Sequence, residues 1–340
     1  MRLWLLLSLC GLLAGCFFDA GLDDDLAEYQ ERLSRVLDTQ AVDIVAPPLL
    51  DYPTPAELTR AIEPVSVNLR DFYQLQNCEL GSLVAQRNTV LGKTAQLSQR
   101  FVYESRLLDK LQQCISTVAT SQPTLSQQLT RWLELKQQQQ PALWANLVQT
   151  SPEMRAAFSR SPRYIEATNN SDVSASVPAL SFVTSLKQRS LKDATELENQ
   201  LKVIDSARLP ARLWRTQTLL LTYLTPLNTH LSRHLPALSC PGGKASEQVK
   251  ILKNVFYLFF IEKIQPVGSK LNQFHYQLAP VWETLTQDPA LDPRFKRYLK
   301  LQTQVRFNRY QKTVRAHVQL WQDLFARCNL SPTAPVNQGS

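Results

Sequence analysis

Residues 246–286 read SEQVKILKNVFYLFFIEKIQPVGSKLNQFHYQLAPVWETLT, and how this stretch is interpreted decides the fold. Its central proline, Pro266, either ends a helix or only kinks one. The run from Val255 to Ile261 is apolar on all sides, as in a buried helix or a buried strand, and is too short to cross a membrane. A last helix follows from Asp292 to Cys328. If residues 246–286 form one kinked rod, the two segments meet as a hairpin near 287 and 293. Facing positions then keep a constant index sum, so Cys328 lies opposite position 252, with Cys240 one loop's reach beyond the rod. Had the chain reversed at Pro266, Cys328 would sit roughly 50 Å along the last helix, at about 1.5 Å per residue. Cys240 would be stranded at the other end. The kinked rod and a Cys240–Cys328 bond therefore support each other, and a loop of that size is worth about 4 kcal/mol in the chain-entropy model.

Upstream, Val177 to Ser206 and Pro210 to His234 read as long helices, the second carrying Leu213, Leu220, Leu224 and Leu227 at helical spacing. Pro236, Pro241, Gly242 and Gly243 form the turn before the rod. Residues 160–176 are polar and turn-rich and form a surface loop between two halves. Before that loop, Asn68 to Leu91 predicts a helix with Leu69, Phe72, Tyr73, Leu75, Leu80, Leu83 and Val84, closed by Gly92. Ser98 is placed to cap the next helix, which carries Phe101, Val102, Leu107, Leu108, Leu111, Ile115 and Val118. In that hairpin Cys78 faces position 111, one turn from Cys114, so Cys78–Cys114 is the preferred pairing among the three that four cysteines permit. Pro123 opens a further helix that ends in the Gln137–Gln140 run, followed by short helices near 142–148 and 152–158. The fold class is all-α: a helical hairpin subdomain over 67–160, then a bundle of long helices over 177–329 and a disordered tail over 330–340. Residues 16–66 precede these as an acidic helix, Asp23 to Asp38, and a connector rich in proline over 41–56.

The first residues carry an address. Arg2 is followed by an apolar run from Leu3 to Leu13, and then Leu-Leu-Ala-Gly-Cys spans 12–16. Charged start, short apolar stretch and small residues before the cut are the layout of a secretory signal. The cysteine directly after Ala-Gly resembles a bacterial lipobox. That resemblance implies cleavage after residue 15 and acylation of Cys16. Three acyl chains anchor far more firmly than one, at roughly 0.8 kcal/mol per buried methylene. Phe17 follows where an aspartate commonly retains lipoproteins in the inner membrane, so the expected location is the outer membrane, facing the periplasm. In that oxidising space Cys78, Cys114, Cys240 and Cys328 are an even set available for disulfides.

About 325 residues remain after the leader, 44% of the whole chain is apolar and 19% charged, and both figures describe a folded protein. Charge is uneven. From Cys16 to Glu63 eleven acids face three bases, whereas from residue 64 onward 18 acids face 33 bases. A basic body tethered to an anionic leaflet is drawn to lipid phosphates or acidic polymers, unless the acidic leader neutralises it in cis. The expected partners are the membrane through the N-terminal lipid, and another envelope protein or an anionic polymer. Nucleic acid is not expected.

No cofactor, metal or catalytic motif stands out. Leu91-Gly92-Lys93-Thr94 resembles the tail of a phosphate loop, but Arg87 stands where that loop needs glycine. His230 and His234 share one helical face without a third ligand, which reads as a solvated helix end. The densest polar cluster joins Arg87, Asn88, Arg100, Glu104 and Arg106, where one helix ends and the next begins. It is either a buried network that fixes the hairpin register or an anion pocket built from guanidinium groups. The run Asn-Cys-Glu-Leu-Gly-x-Leu-Val-Ala-Gln-Arg-Asn-Thr-x-Leu-Gly-Lys over 77–93, followed by Ser-Gln-Arg-x-x-Tyr-Glu-x-Arg over 98–106, resembles a Gram-negative lipoprotein family known only as a domain of unknown function. Asn254-Val255-Phe256 and Gln265-Pro266 fit the same family. The resemblance implies an envelope location and no activity. The leading expectation is a non-enzymatic scaffold or adaptor, and the alternative is a binding protein for an anionic small ligand or polymer using Arg87 and Arg106.

Overall fold

A computed structural model of the protein describes residues 21–330 except 49, 66, 76–77, 90–93, 189–190 and 192. The proposed tether at Cys16, the Gly92 cap, the 91–93 segment and the tail beyond Leu330 lie outside the described residues. Regular structure is helical throughout, and no strand occurs among the described residues.

Helix α1 (Leu22–Val36) starts with Asp23, Asp24 and Asp25 at its positive end, where Gly21 N–H donates to Asp24 at 3.2 Å. Leu22, Leu26, Tyr29 and Leu33 recur every three or four residues and are buried. Thr54, at the end of the connector, has an extended backbone, and a single turn, α2 (Pro55–Leu58), follows. Next come α3 (Leu69–Gln74), α4 (Leu80–Arg87), α5 (Leu97–Val118), α6 (Pro123–Thr150) and α7 (Pro152–Ser159). Past the loop lie α8 (Ser171–Ser174), α9 (Ser176–Ser185), α10 (Ala194–Ala207) and α11 (Leu209–His234).

The decisive stretch is a rod. Ser246 caps α12 (Glu247–Val255), which passes through a π-helical segment, Phe256–Ile264, into α13 (Gln265–Gln277). The widened turn lets Pro266 sit at the start of α13 without breaking the rod. The apolar run is therefore helical. Phe256, Phe259 and Phe260 are buried, while Leu258 faces out. After α14 (Ala279–Gln287) the chain turns into α15 (Pro293–Lys300), a second π segment, Leu301–Arg306, and α16 (Phe307–Arg327). Phe256 stacks on Trp321, Phe260 lies against His317, Tyr310 donates to Gly268 O and His275 stacks on Phe307. These pairs keep the near-constant index sum of an antiparallel hairpin. Cys240 and Cys328 are bonded, with Cα atoms 5.2 Å apart.

A buried polar clamp fastens α1 to this bundle. Tyr29 Oη donates to His317 Nε2 at 2.9 Å, and Trp321 Nε1–H reaches the same nitrogen at 3.2 Å. With Nε2 accepting, Nδ1 carries the proton and donates to Asn228 Oδ1 at 2.7 Å. Asn228 Nδ2 donates to Thr313 O. Burial holds His317 neutral and pushes its pKa down to about 3.

Several boundaries differ from those expected. The segment 68–91 is broken between α3 and α4. Leu75 and Leu80 both enter one core, yet in a continuous helix they would point about 140° apart, so the break serves the burial. Leu69 and Tyr73 are exposed. Gln96, not Ser98, is the N-cap of α5, and Ser98 is buried in its first turn. Helix α6 runs through the glutamine run and Pro141 to Thr150 instead of ending there. Gln139 is buried and donates to Glu63 O at 3.0 Å, which ties the run to the connector. The helix expected from 177 to 206 is two helices, with Asp193 capping α10 through Thr195 N–H.

Among the described residues the apolar contacts form two cores. The larger joins α1, the far ends of α5 and α6, α7 and everything after it. The smaller holds Leu75, Leu80, Leu83, Leu107, Leu111, Cys114, Val118, Leu125, Leu129 and Leu133. The division thus runs across the α5–α6 hairpin. The loop at 160–176 lies inside the territory of the larger core, which takes in Ile165 and Val173.

Candidate functional site

Helices α5 and α6 pair along their length, and Cys78–Cys114, with Cα atoms 5.5 Å apart, pins the turn before α4 onto α5. On α5, residues 100, 103, 104, 107 and 111 recur at helical spacing and share one face. That face, α4, α6 and the connector at 62–65 enclose a cavity of about 470 Å³. Its inner wall is apolar, with Leu75, Leu80, Leu107 and Leu111 all buried. Arg87, Asn88, Arg100 and Tyr103 line its outer part.

Between the two zones lies an ion pair. Lys136 Nζ is 2.9 Å from Glu104 Oε2, and the side chains are 9% and 6% exposed. The contact is out of line for a hydrogen bond, so the pair is held by charge. It joins α5 to α6, the register-fixing role that a buried pair performs. Arg100 Nε is buried and meets no acceptor. The Tyr103 phenol is pushed up to about 12, first by burial and then by the adjacent Glu104 carboxylate, with Arg87 opposing.

Four of the five predicted residues, Arg87, Asn88, Arg100 and Glu104, thus meet at one cavity. Arg106 does not join them. It is exposed and lines a neighbouring cleft of about 460 Å³ with Arg87, Arg100 and Asp193. Sequence reasoning missed Lys136 and Trp132, and had Tyr103 only as part of the 98–106 run. Lys136 was legible only as one more polar residue before the glutamines. It lies in helical phase with the buried Leu129 and Leu133 of α6, and that phase was the signal that could have found it. The His230 and His234 rings lie tilted against each other with centres 4.4 Å apart, and His230 Nε2 lies 3.0 Å from Thr39 Oγ1. No group of three or more His, Cys, Asp or Glu side chains suited to a metal occurs among the described residues.

This arrangement can take a ligand with an apolar body and a negative head. The body meets the leucines, and the head meets Arg87 and Arg100. A family model described as "Protein of unknown function (DUF3080)" matches residues 26–332, across both cores. No curated protein matches the chain, and no solved structure does.

Proposed function

The chain belongs to the DUF3080 family of proteins of unknown function, and from that premise we propose a lipid-tethered, periplasm-facing envelope protein that binds an amphipathic anion in the Arg87–Arg100 cavity. The observation that carries the binding reading is the buried Arg100 Nε without an acceptor, beside a cavity of about 470 Å³ with an apolar inner wall. A pocket of that size suits a ligand of drug-like dimensions. The paired cysteines suit an oxidising compartment. The Leu12–Cys16 sequence supports the tether.

Equilibrium dialysis of the full chain in detergent, against a detergent-only control, tests the pocket. 4-Butylbenzoate should bind, and its uncharged alcohol should bind about tenfold more weakly. Arg100→Gln should remove that preference. Equal binding of acid and alcohol by the unaltered protein defeats the reading. Mass spectrometry of the chain produced in a Gram-negative cell should find a mature species starting at acylated Cys16, and an intact leader overturns the address.

A further inference from the structure

A separate cleft of about 940 Å³ opens between the connector at 46–52, the end of α7, the start of α11 and the second π segment. Among the described residues five arginines line it, Arg155, Arg160, Arg208, Arg215 and Arg306, against one carboxylate, Asp51. Among the described residues, only Arg208 of the five is paired with an acid, Asp205 at 3.1 Å. Neutral groups hold two others. Arg215 donates to Ser161 O at 3.2 Å and to Tyr164 Oη at 3.1 Å, and lies over the Tyr164 ring. Arg306 donates to Pro48 O at 3.0 Å. These bonds aim the guanidinium groups without cancelling their charge. Arg155 Nε is buried and has no acceptor. So many like charges around one cleft repel, and multivalent anions relieve that repulsion.

Gln302 adds a second demand. It is 4% exposed and lines the cleft. Its Nε2 donates to Tyr298 Oη at 3.3 Å, while that hydroxyl donates to Phe158 O at 2.7 Å. Reversing the amide would set two acceptors against each other, so Oε1 points the other way, buried and unpartnered. An acceptor there repels phosphate and calls for a hydroxyl donor. Tyr52, Tyr164 and Trp214 supply flat walls. We propose that this cleft binds a phosphorylated polyol or sugar, with two or more phosphates on the arginines and a ring hydroxyl donating to Gln302. The same chemistry occurs in free sugar phosphates and in phosphorylated lipid headgroups.

Calorimetry on the full chain in detergent tests it with inositol 1,4-bisphosphate, with myo-inositol, and with mixed micelles carrying phosphatidylinositol 4-phosphate or phosphatidylglycerol. At least one phosphoinositol probe should bind, and myo-inositol and phosphatidylglycerol should not. Binding of the free bisphosphate marks a soluble ligand; binding of the micellar lipid alone marks a headgroup. Arg155→Gln with Arg160→Gln should weaken that binding about tenfold or more. The exposed Arg160→Glu alone should act in the same direction if the double variant does not fold. Gln302→Met should weaken the inositol phosphate but leave pyrophosphate binding unchanged, and Arg87→Gln with Arg100→Gln should change neither. The proposal is overturned if no phosphoinositol probe binds, if the arginine variants bind as tightly as the unaltered chain, or if the Arg87 and Arg100 variants abolish binding instead.

Discussion

Both cores of this protein contain a disulfide, but the two bonds do different work. Cys240–Cys328 joins a loop to the end of α16, where a layer of aromatic rings already clamps the bundle. Phe256 stacks on Trp321 at 4.8 Å and packs edge-on against Phe325 at 5.7 Å. Cys328 and Cys114 are each 1% exposed inside their own core, but among the described residues the small core has ten buried apolar side chains, Cys114 included. An apolar core of that size does little against the entropy of ordering three helices. The large core therefore has many other contacts to rely on when its bond is lost, whereas the small one depends on its bond. The Arg87–Arg100 cavity is built on the weaker of the two.

The strongest way to break this comparison is to remove each bond in turn. The closed loops span 36 and 88 residues, so the chain-entropy model gives about 4–5 kcal/mol for either. The location of the loss should differ. Cys78→Ala with Cys114→Ala should raise amide exchange across 69–133 and abolish 4-butylbenzoate binding while α11 to α16 stay protected. Cys240→Ala with Cys328→Ala should lower the global transition and leave the cavity intact below it. Exchange spreading evenly over both cores in the first variant would mean that they are one cooperative unit.

Next in size is the ion pair between α5 and α6. Lys136→Ala leaves the Glu104 carboxylate buried without its cation, and should cost about 3 kcal/mol in denaturant unfolding. Glu104→Gln with Lys136→Met should recover most of that loss, because it removes both desolvated charges. If the double change is as damaging as the single one, shape rather than charge holds the pair.

The smallest effect separates the cores by pH. His317 is neutral in the fold, with its pKa pushed down to about 3, while the unfolded chain titrates near 6.5. The unfolded state takes up the proton first. The stabilisation is therefore complete above about pH 6.5 and shrinks as the pH falls toward 3, by about 2 kcal/mol at pH 5. Exchange protection in α1 and α16 should follow this slope, while the small core, which has no histidine, should lag behind. His317→Gln should flatten it. A slope that survives in that variant would assign the effect elsewhere, His275 being the next group, since its pKa is also lowered by burial, to about 4.

Much of the fold was legible in the chain because helical periodicity and cysteine spacing are local quantities that long rods preserve. The antiparallel pairing of 246–286 with 292–328 follows from one proline and two cysteines, and the contacts from Phe256–Trp321 to His275–Phe307 keep that register. The same logic misjudged 68–91 and 123–150. There the winning term was burial against another helix: Leu75 and Leu80 had to turn to one side, and Gln139 found Glu63 O. The Arg87 cluster was visible because its members sit on two adjacent helix ends.

By itself the sequence determined that this is an all-helical chain, which cysteines pair and where the rods turn back, because these follow from spacing along one strand of chain. Only the tertiary structure decided where the cores divide, that Lys136 meets Glu104, that His317 is held neutral between Tyr29 and Asn228, and that five arginines from distant segments share one cleft. Burial and charge compensation depend on neighbours brought together by folding, and no interval along the sequence encodes that distance.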